Sequence, residues 1–190
     1  GVLVPEVWQA VARETQLPEL LKTTRDIPVY EDLMDYRLDI LRAQGITLTD
    51  IQNEIAKLKP LDGAKDFLDW AGERFQVAII SDTFYEFAGP LMVQLGDPFL
   101  LCHKLIVEDD RVVGYKLRQT DPKRHSVKAF KSLDLKVIAA GDSFNDVSML
   151  EEADHGIFFQ APENVRAQFP QYPLAADYAE LQALIEEAVG

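Results

Sequence analysis

Apolar positions in the first third of the chain recur at helical spacing. From Pro5 onward, Val7, Trp8, Val11 and Ala12 fall on one face, and Leu17-Pro18-Glu19 opens a shorter turn. From Tyr30 to Ala43, Leu33, Met34, Arg37, Ile40 and Leu41 follow the same period. Gly45 ends that helix, and Thr47 or Thr49 starts another with Ile51, Ile55 and Leu58 on its buried face. Lys59-Pro60-Leu61 marks a boundary, after which helix and strand patterns alternate. A helix near 62–73 precedes a strand over 75–80 and a helix from 84 to about 95. Strands near 104–108 and 112–118 flank an Asp109-Asp110-Arg111 turn, and a helix over 122–132 leads to a strand over 135–140. A helix near 146–152, a strand over 156–159 and helices near 162–168 and 178–188 complete the chain. Alternation of this kind predicts an α/β fold, a Rossmann-like parallel sheet with helices on both faces. The expected division is a helical segment over 5–60 and a core of 61–190 joined by residues 1–4.

Composition narrows the classes of function. The 190 residues carry a net charge of −13, which argues against nucleic acid and anionic membrane as partners, since both are met by basic patches. An anionic substrate would have to be drawn in by local cations or a metal. The one cysteine, Cys102, excludes an internal disulfide and reads as a small buried hydrophobe. No apolar run approaches the ~20 residues of a membrane-spanning helix, and no leading basic-then-apolar stretch is present. A cytoplasmic protein is expected. The sequence leaves a homodimer open.

Two strand ends carry candidate chemistry. Val137-Ile138-Ala139-Ala140 runs into Gly141-Asp142-Ser143-Phe144-Asn145-Asp146. Asp142 falls at the carboxyl end of a strand, where open α/β sheets place ligands, and Asp146 at the start of the next helix. Such a cluster of oxygen donors suits a hard cation such as Mg²⁺, or else it is an acidic loop capping a helix. Phe75-Gln76-Val77-Ala78-Ile79-Ile80 runs into Ser81-Asp82-Thr83, a hydroxyl before a helix start that reads as a phosphate cradle or as an ordinary N-cap. Between them, Asp121-Pro122-Lys123 opens a helix and brings an ammonium, in isolation an ordinary surface charge. His103, His125 and His155 show no ligand spacing.

Taken in order, these stretches resemble motifs two, three and four of the haloacid dehalogenase superfamily of phosphotransferases. Ser81 matches motif two, Lys123 motif three with Lys128 a weaker candidate, and Asp142, Asn145 and Asp146 motif four. Within the superfamily the chain is similar to phosphoserine phosphatases, above all the bacterial phosphoserine:homoserine phosphotransferase type with Ser-Asp-Thr in motif two. Gly1-Val2-Leu3-Val4-Pro5-Glu6 and Thr24-Arg25-Asp26-Ile27-Pro28 share the likeness. The resemblance implies a Mg²⁺-dependent phosphomonoesterase acting on O-phosphoserine through an aspartyl-phosphate, with transfer to homoserine as an alternative to water. It implies Asp142 as metal ligand, and Ser81, Lys123, Asp142 and Asp146 as catalytic. Ser81, Asp82, Thr83, Lys123 and Asn145 would bind the phosphoryl group. Segment 5–60 becomes a small helical cap over the crevice. In it Arg37 either snorkels or grips the substrate carboxylate, with Glu6 meeting the ammonium. Arg25 and Asp26 are expected to pair with each other.

Motif one, an Asp-x-Asp or Asp-x-Glu carrying the nucleophile, has no match. In the resembled type it lies immediately before the stretch that starts here at Gly1, so the expectation is a chain lacking its first strand. A related phosphatase for another small phosphorylated metabolite, or a non-catalytic binding protein without motif one, remains open on sequence alone.

Overall fold

The computed structural model describes residues 1–23, 26–27 and 29–190. Helices α1 (Val7–Glu14), α2 (Tyr30–Ala43) and α3 (Leu48–Lys57) follow one another, with a 3₁₀ turn at Pro18–Leu21. Then come α4 (Ala64–Gly72), β1 (Ile79–Phe84), α5 (Tyr85–Leu95), β2 (Leu100–Glu108) and β3 (Arg111–Lys116). The remainder is α6 (Pro122–Lys131), β4 (Ile138–Gly141), a 3₁₀ turn at Phe144–Asp146, α7 (Val147–Glu152), β5 (His155–Phe159), α8 (Glu163–Arg166), β6 (Leu174–Ala175) and α9 (Tyr178–Val189). The chain divides into two compact units. One gathers residues 1–4, 61–80 and 119–190, the other residues 5–60 and 81–118. The helical segment 5–60 is thus joined by 81–118, whereas the periodicity assigned that stretch to the core.

The first unit is built on a parallel sheet in the order β4-β5-β6, with Ile138 opposite His155 and Gly141 opposite Phe158. The alternation of β5 sends its side chains to two cores. Phe158 packs with Val127, Val147, Leu150 and Val165, while Ile157 and Phe159 pack with Phe67, Ala175 and Leu181. Helices therefore cover both faces, α6 and α7 on one and α4 and α9 on the other. Strand β4 starts at Ile138, later than its apolar run. The Val137 N–H donates to the Asp154 carboxylate at 2.8 Å, while its carbonyl accepts from the N–H of Asp154 at 2.9 Å and of His155 at 3.2 Å, the last leading into the pairing with β5. Two-residue β6 has too short a pattern to read from sequence.

In the second unit, α2 buries Leu33, Met34, Arg37, Leu38 and Leu41, one stripe of a 3.6-residue period. Helix α3 begins at a capping box in which Thr47 Oγ1 accepts from the N–H of Asp50 and the Asp50 carboxylate accepts from the N–H of Thr47. The sheet has the order β1-β2-β3, with β2 and β3 antiparallel and Glu108 opposite Arg111. Asp109 and Asp110 both take positive φ, +46° and +61°, as a two-residue turn of matching twist requires.

Strand β1 corrects the expected strand over 75–80. It runs through Ser81-Asp82-Thr83 to Phe84, so Ser81 lies within the strand and α5 begins only at Tyr85. The cause is the aromatic side chain of Phe84. It is fully buried and stands 5.8 Å from the Phe87 ring and 5.9 Å from His103, an insertion that keeps its backbone extended.

Candidate active site

Strand β4 ends at Gly141, and the chain turns at once into the 3₁₀ turn that holds Asn145 and Asp146. A glycine is required there, because a Cβ on Gly141 would stand 2.3 Å from the Cβ of Asp146. That close approach turns the Asp146 carboxylate back onto its own loop. Its Oδ2 accepts from the N–H of Asp142 at 2.9 Å, and from the N–H and Oγ–H of Ser143, each at 3.0 Å. Its Oδ1 accepts from Lys123 Nζ at 2.7 Å, on the first turn of α6. Lys123 and Asp146 are 8% and 6% exposed, so the ion pair is shielded from water. Burial alone would raise the Asp146 carboxyl. The Lys123 ammonium and the loop donors outweigh it and hold the group below the usual carboxylate range.

Asp142 is more open, and Asn145 is exposed. The Asp142 Oδ2 lies 2.9 Å from the Gly1 nitrogen, and the carboxylate is 28% exposed, whereas that of Asp146 is buried and bonded on both oxygens. Among the described residues no three His, Cys, Asp or Glu side chains stand together as ligands. One hard carboxylate of this kind suits Mg²⁺, which is held by one or two carboxylates and completes its shell with water and phosphate oxygens. Lys128, the weaker of the two lysine candidates, is half-exposed and faces Glu152 at 3.8 Å.

The second unit holds the remaining candidates. In β1 the N–H of Thr83 donates to Ser81 Oγ at 3.3 Å, Tyr30 Oη donates to the Asp82 carbonyl at 3.0 Å, and the Asp82 carboxylate stands 4.0 Å from His103 Nε2. His103 is buried, its Nδ1 accepting from the N–H of Arg118, which leaves Nε2 to carry the proton facing Asp82. Arg37 does not snorkel. It is 6% exposed, its guanidinium lies 4.5 Å from the Trp8 ring centre, and one terminal nitrogen donates to the Lys22 carbonyl at 2.8 Å. Its Nε is buried without a hydrogen-bond partner among the described residues. Burial pulls the group down to about 10, opposed by the nearby charge of Glu6, so it stays cationic at neutral pH. Glu6 itself is exposed and accepts from Gln9. The Asp26 carboxylate accepts from the N–H and hydroxyl of Thr23. Arg25, its expected partner, lies outside the described residues, as do Thr24 and Pro28.

A family model of haloacid dehalogenase-like hydrolases matches residues 6–154, a stretch that contains Ser81, Lys123, Asp142 and Asp146. The chain belongs to this family. It is 62% identical to the phosphoserine phosphatase ThrH of Pseudomonas aeruginosa over 183 residues, 96% of this chain and 89% of that protein. It is 60% identical to a phosphoserine phosphatase of Pseudomonas syringae pv. tomato over 183 residues, 96% of this chain and 77% of that one. Among solved structures, the phosphoserine phosphatase of T. onnurineus matches with a TM-score of 0.70 at 28% identity, over 95% of this chain and 87% of that one.

For this haloacid dehalogenase-like hydrolase, the structure joins Lys123, Asp142, Ser143 and Asp146 through one hydrogen-bonded loop. Ser143 was not singled out from the sequence, although Ser-x-x-Asp at a turn start is a capping signal. The partners of Arg37 and Asp82, namely Trp8, Tyr30 and His103, lie far from them in sequence and carry no local signal.

Proposed function

We propose that this protein is a Mg²⁺-dependent phosphatase of O-phosphoserine, working through an aspartyl-phosphate intermediate. Family membership and the two relatives above 60% identity support the reading. The observation that carries it is the buried Lys123–Asp146 pair beside the open carboxylate of Asp142.

Each residue has a part that its setting suits. Asp146 turns both oxygens inward and holds Lys123, whose ammonium serves the phosphoryl oxygens as their charge grows. Asp142 would hold the metal, with Asn145 contributing to its surroundings. Bound Mg²⁺ supplies charge neutralisation between phosphate oxygens and an attacking carboxylate. Ser81, with the backbone around Asp82 and Thr83, donates to phosphoryl oxygens. The bond from phosphorus to the serine oxygen breaks as one to a carboxylate forms, and the alkoxide leaves as serine after taking a proton. The nucleophilic carboxylate is not among the residues assigned here. Water then attacks the acyl phosphate and releases inorganic phosphate. Homoserine hydroxyl, attacking in place of water, gives O-phosphohomoserine.

Segment 5–60 serves as the cap that selects the substrate. Arg37 is a preorganised guanidinium with an unused N–H edge, which fits a carboxylate, and Glu6 fits an ammonium. A cytoplasmic setting agrees with the absence, among the described residues, of any helix long and apolar enough to cross a membrane.

The test is Asp142→Asn in the full-length protein. Mg²⁺-dependent release of phosphate from O-phosphoserine is expected to disappear, with thermal unfolding unchanged within about 2 °C, as for exposed substitutions. Turnover near the unmutated level at low Mg²⁺ would remove Asp142 from the metal site.

A further inference from the structure

Helix α6 starts in an unusual way. An aspartate at the N-cap ordinarily takes extended backbone angles and accepts from an N–H of the first turn. Asp121 does neither. Its backbone is left-handed, φ +45° and ψ +57°, and its side chain makes no cap bond. For a residue with a Cβ that conformation carries strain, which persists only where the surroundings over-determine it. The carboxylate instead reaches across to α7, where Ser148 Oγ donates to Oδ1 at 2.7 Å. The Asp121 carbonyl is held as well, by the His125 N–H at 3.1 Å and the His125 ring at 2.9 Å.

The position of this bond is informative. Asp121 lies two residues before Lys123, and Ser148 two residues after Asp146. The same two segments are therefore bridged twice, once by the Lys123–Asp146 ion pair and once, beside it, by Asp121 and Ser148. A ligand phosphoryl group must share the Lys123 ammonium with Asp146, which weakens the first bridge at the moment of reaction. The second contains no ammonium and is untouched. A third set of contacts begins beside the lysine, where Arg124 Nε donates to the Glu152 carboxylate at 2.9 Å, and ends at the last residue of α6, where Lys131 Nζ donates to the Glu152 carbonyl at 2.9 Å and pairs with Asp154 at 3.1 Å.

We propose that Asp121 and Ser148 are positioning residues for Lys123. Their bond fixes the first turn of α6 against α7, so that the ammonium keeps its aim when Asp146 shares it with the phosphoryl group. This rests on the part given to Lys123 under the proposed function.

The experiment compares Ser148→Ala, Ser148→Thr, Asp121→Asn and Lys131→Met in the full-length protein. It reads kcat and KM for O-phosphoserine, affinity for orthovanadate, and Tm. Ser148→Ala and Asp121→Asn are expected to lower kcat about tenfold, the scale of a small misplacement of a catalytic group, with KM little changed. Vanadate affinity should fall in parallel. Ser148→Thr keeps the hydroxyl and should restore both. Lys131→Met should lower Tm and leave kcat as it was, since it removes the contacts to the Glu152 carbonyl and Asp154 at the end of α6 away from Lys123. Wild-type kcat in Ser148→Ala, or an equal loss of kcat in Lys131→Met, overturns the proposal. Lys123→Ala separates the two levels: if it is inactive while Ser148→Ala is normal, only the positioning role fails. If Lys123→Ala turns over normally, or if the unmutated protein neither turns over phosphoserine nor binds vanadate, the reading of the site fails and this inference with it.

Discussion

Asp146 is occupied on both oxygens by donors from its own unit, and that sets its behaviour with pH. Its carboxyl titrates below the usual value in the folded protein, because the Lys123 ammonium and three loop donors outweigh burial. A depressed folded value contributes stability that is present above the unfolded pKa of about 3.9 and is lost as pH falls through the folded value. Asp146→Asn is expected to flatten that acid limb in denaturant titrations between pH 2 and pH 5. At neutral pH it should cost about 3–5 kcal/mol, since it removes the carboxylate of a buried ion pair. An unchanged acid limb would show that other carboxylates govern it. Arg37 presents the complementary case, a buried cation held by the Trp8 ring, the Lys22 carbonyl and the Met34 sulfur, with its Nε–H unpaired among the described residues. Arg37→Ala is expected to reduce turnover of O-phosphoserine much more than that of an aryl phosphate, by about 2–5 kcal/mol in kcat/KM. Equal losses on both substrates would mean that the residue supports the cap's packing and does not read the amino acid.

At the scale of elements, the hairpin turn shows how two neighbouring aspartates differ. Both Asp109 and Asp110 have positive φ, which favours glycine. Asp110 has a second task. Its carboxylate accepts from the N–H of Thr49 at 3.1 Å and the Thr49 hydroxyl at 3.0 Å, and its carbonyl accepts from the N–H of Leu48, all at the start of α3. Asp109→Gly is expected to raise stability by a few tenths of a kcal/mol, up to about 1, by relieving the turn. Asp110→Gly should lower it by about 1 kcal/mol, since the lost side-chain bonds outweigh the relief. Urea titration of the two variants checks the opposite signs. Asp109 and Asp110 as the turn and the limits of α2 were legible in sequence, because each follows from local period or punctuation, while Arg111, read as part of the turn, opens β3. The span of β1 was not. The apolar run over 75–80 carries the pattern of a strand, but pairing with β2 and the burial of Phe84 decide which residues extend, and both are tertiary facts. The same division holds for the site. Gly141, Asp142 and Asp146 stand within one short stretch and could be read together, whereas Lys123 read alone as a surface charge and was joined to them only by the resemblance. The burial of Arg37 against Trp8 depends on how α1 and α2 pack, which no local pattern encodes.

For the molecule as a whole, the net charge of −13 bears on how an anionic substrate arrives. O-phosphoserine carries net negative charge at neutral pH, so the long-range field repels it, and under the proposed function attraction would begin only close to cations such as Lys123 and Arg37. The two act over different distances. The screening length is about 30 Å at 0.01 M ionic strength and about 8 Å at 0.15 M. Added salt therefore removes the repulsion of the distant carboxylates first, while a lysine shielded from water, such as Lys123, is screened much less. At fixed Mg²⁺, kcat/KM for O-phosphoserine is expected to rise as NaCl brings the ionic strength from about 0.01 M to about 0.15 M, with kcat unchanged. A neutral competitor that fills the same pocket should show no such slope, which separates repulsion at a distance from a general effect of salt on the protein. A kcat/KM that falls steadily over that range would mean that local cations dominate even at long distance, and that the acidic surface plays no part in substrate capture.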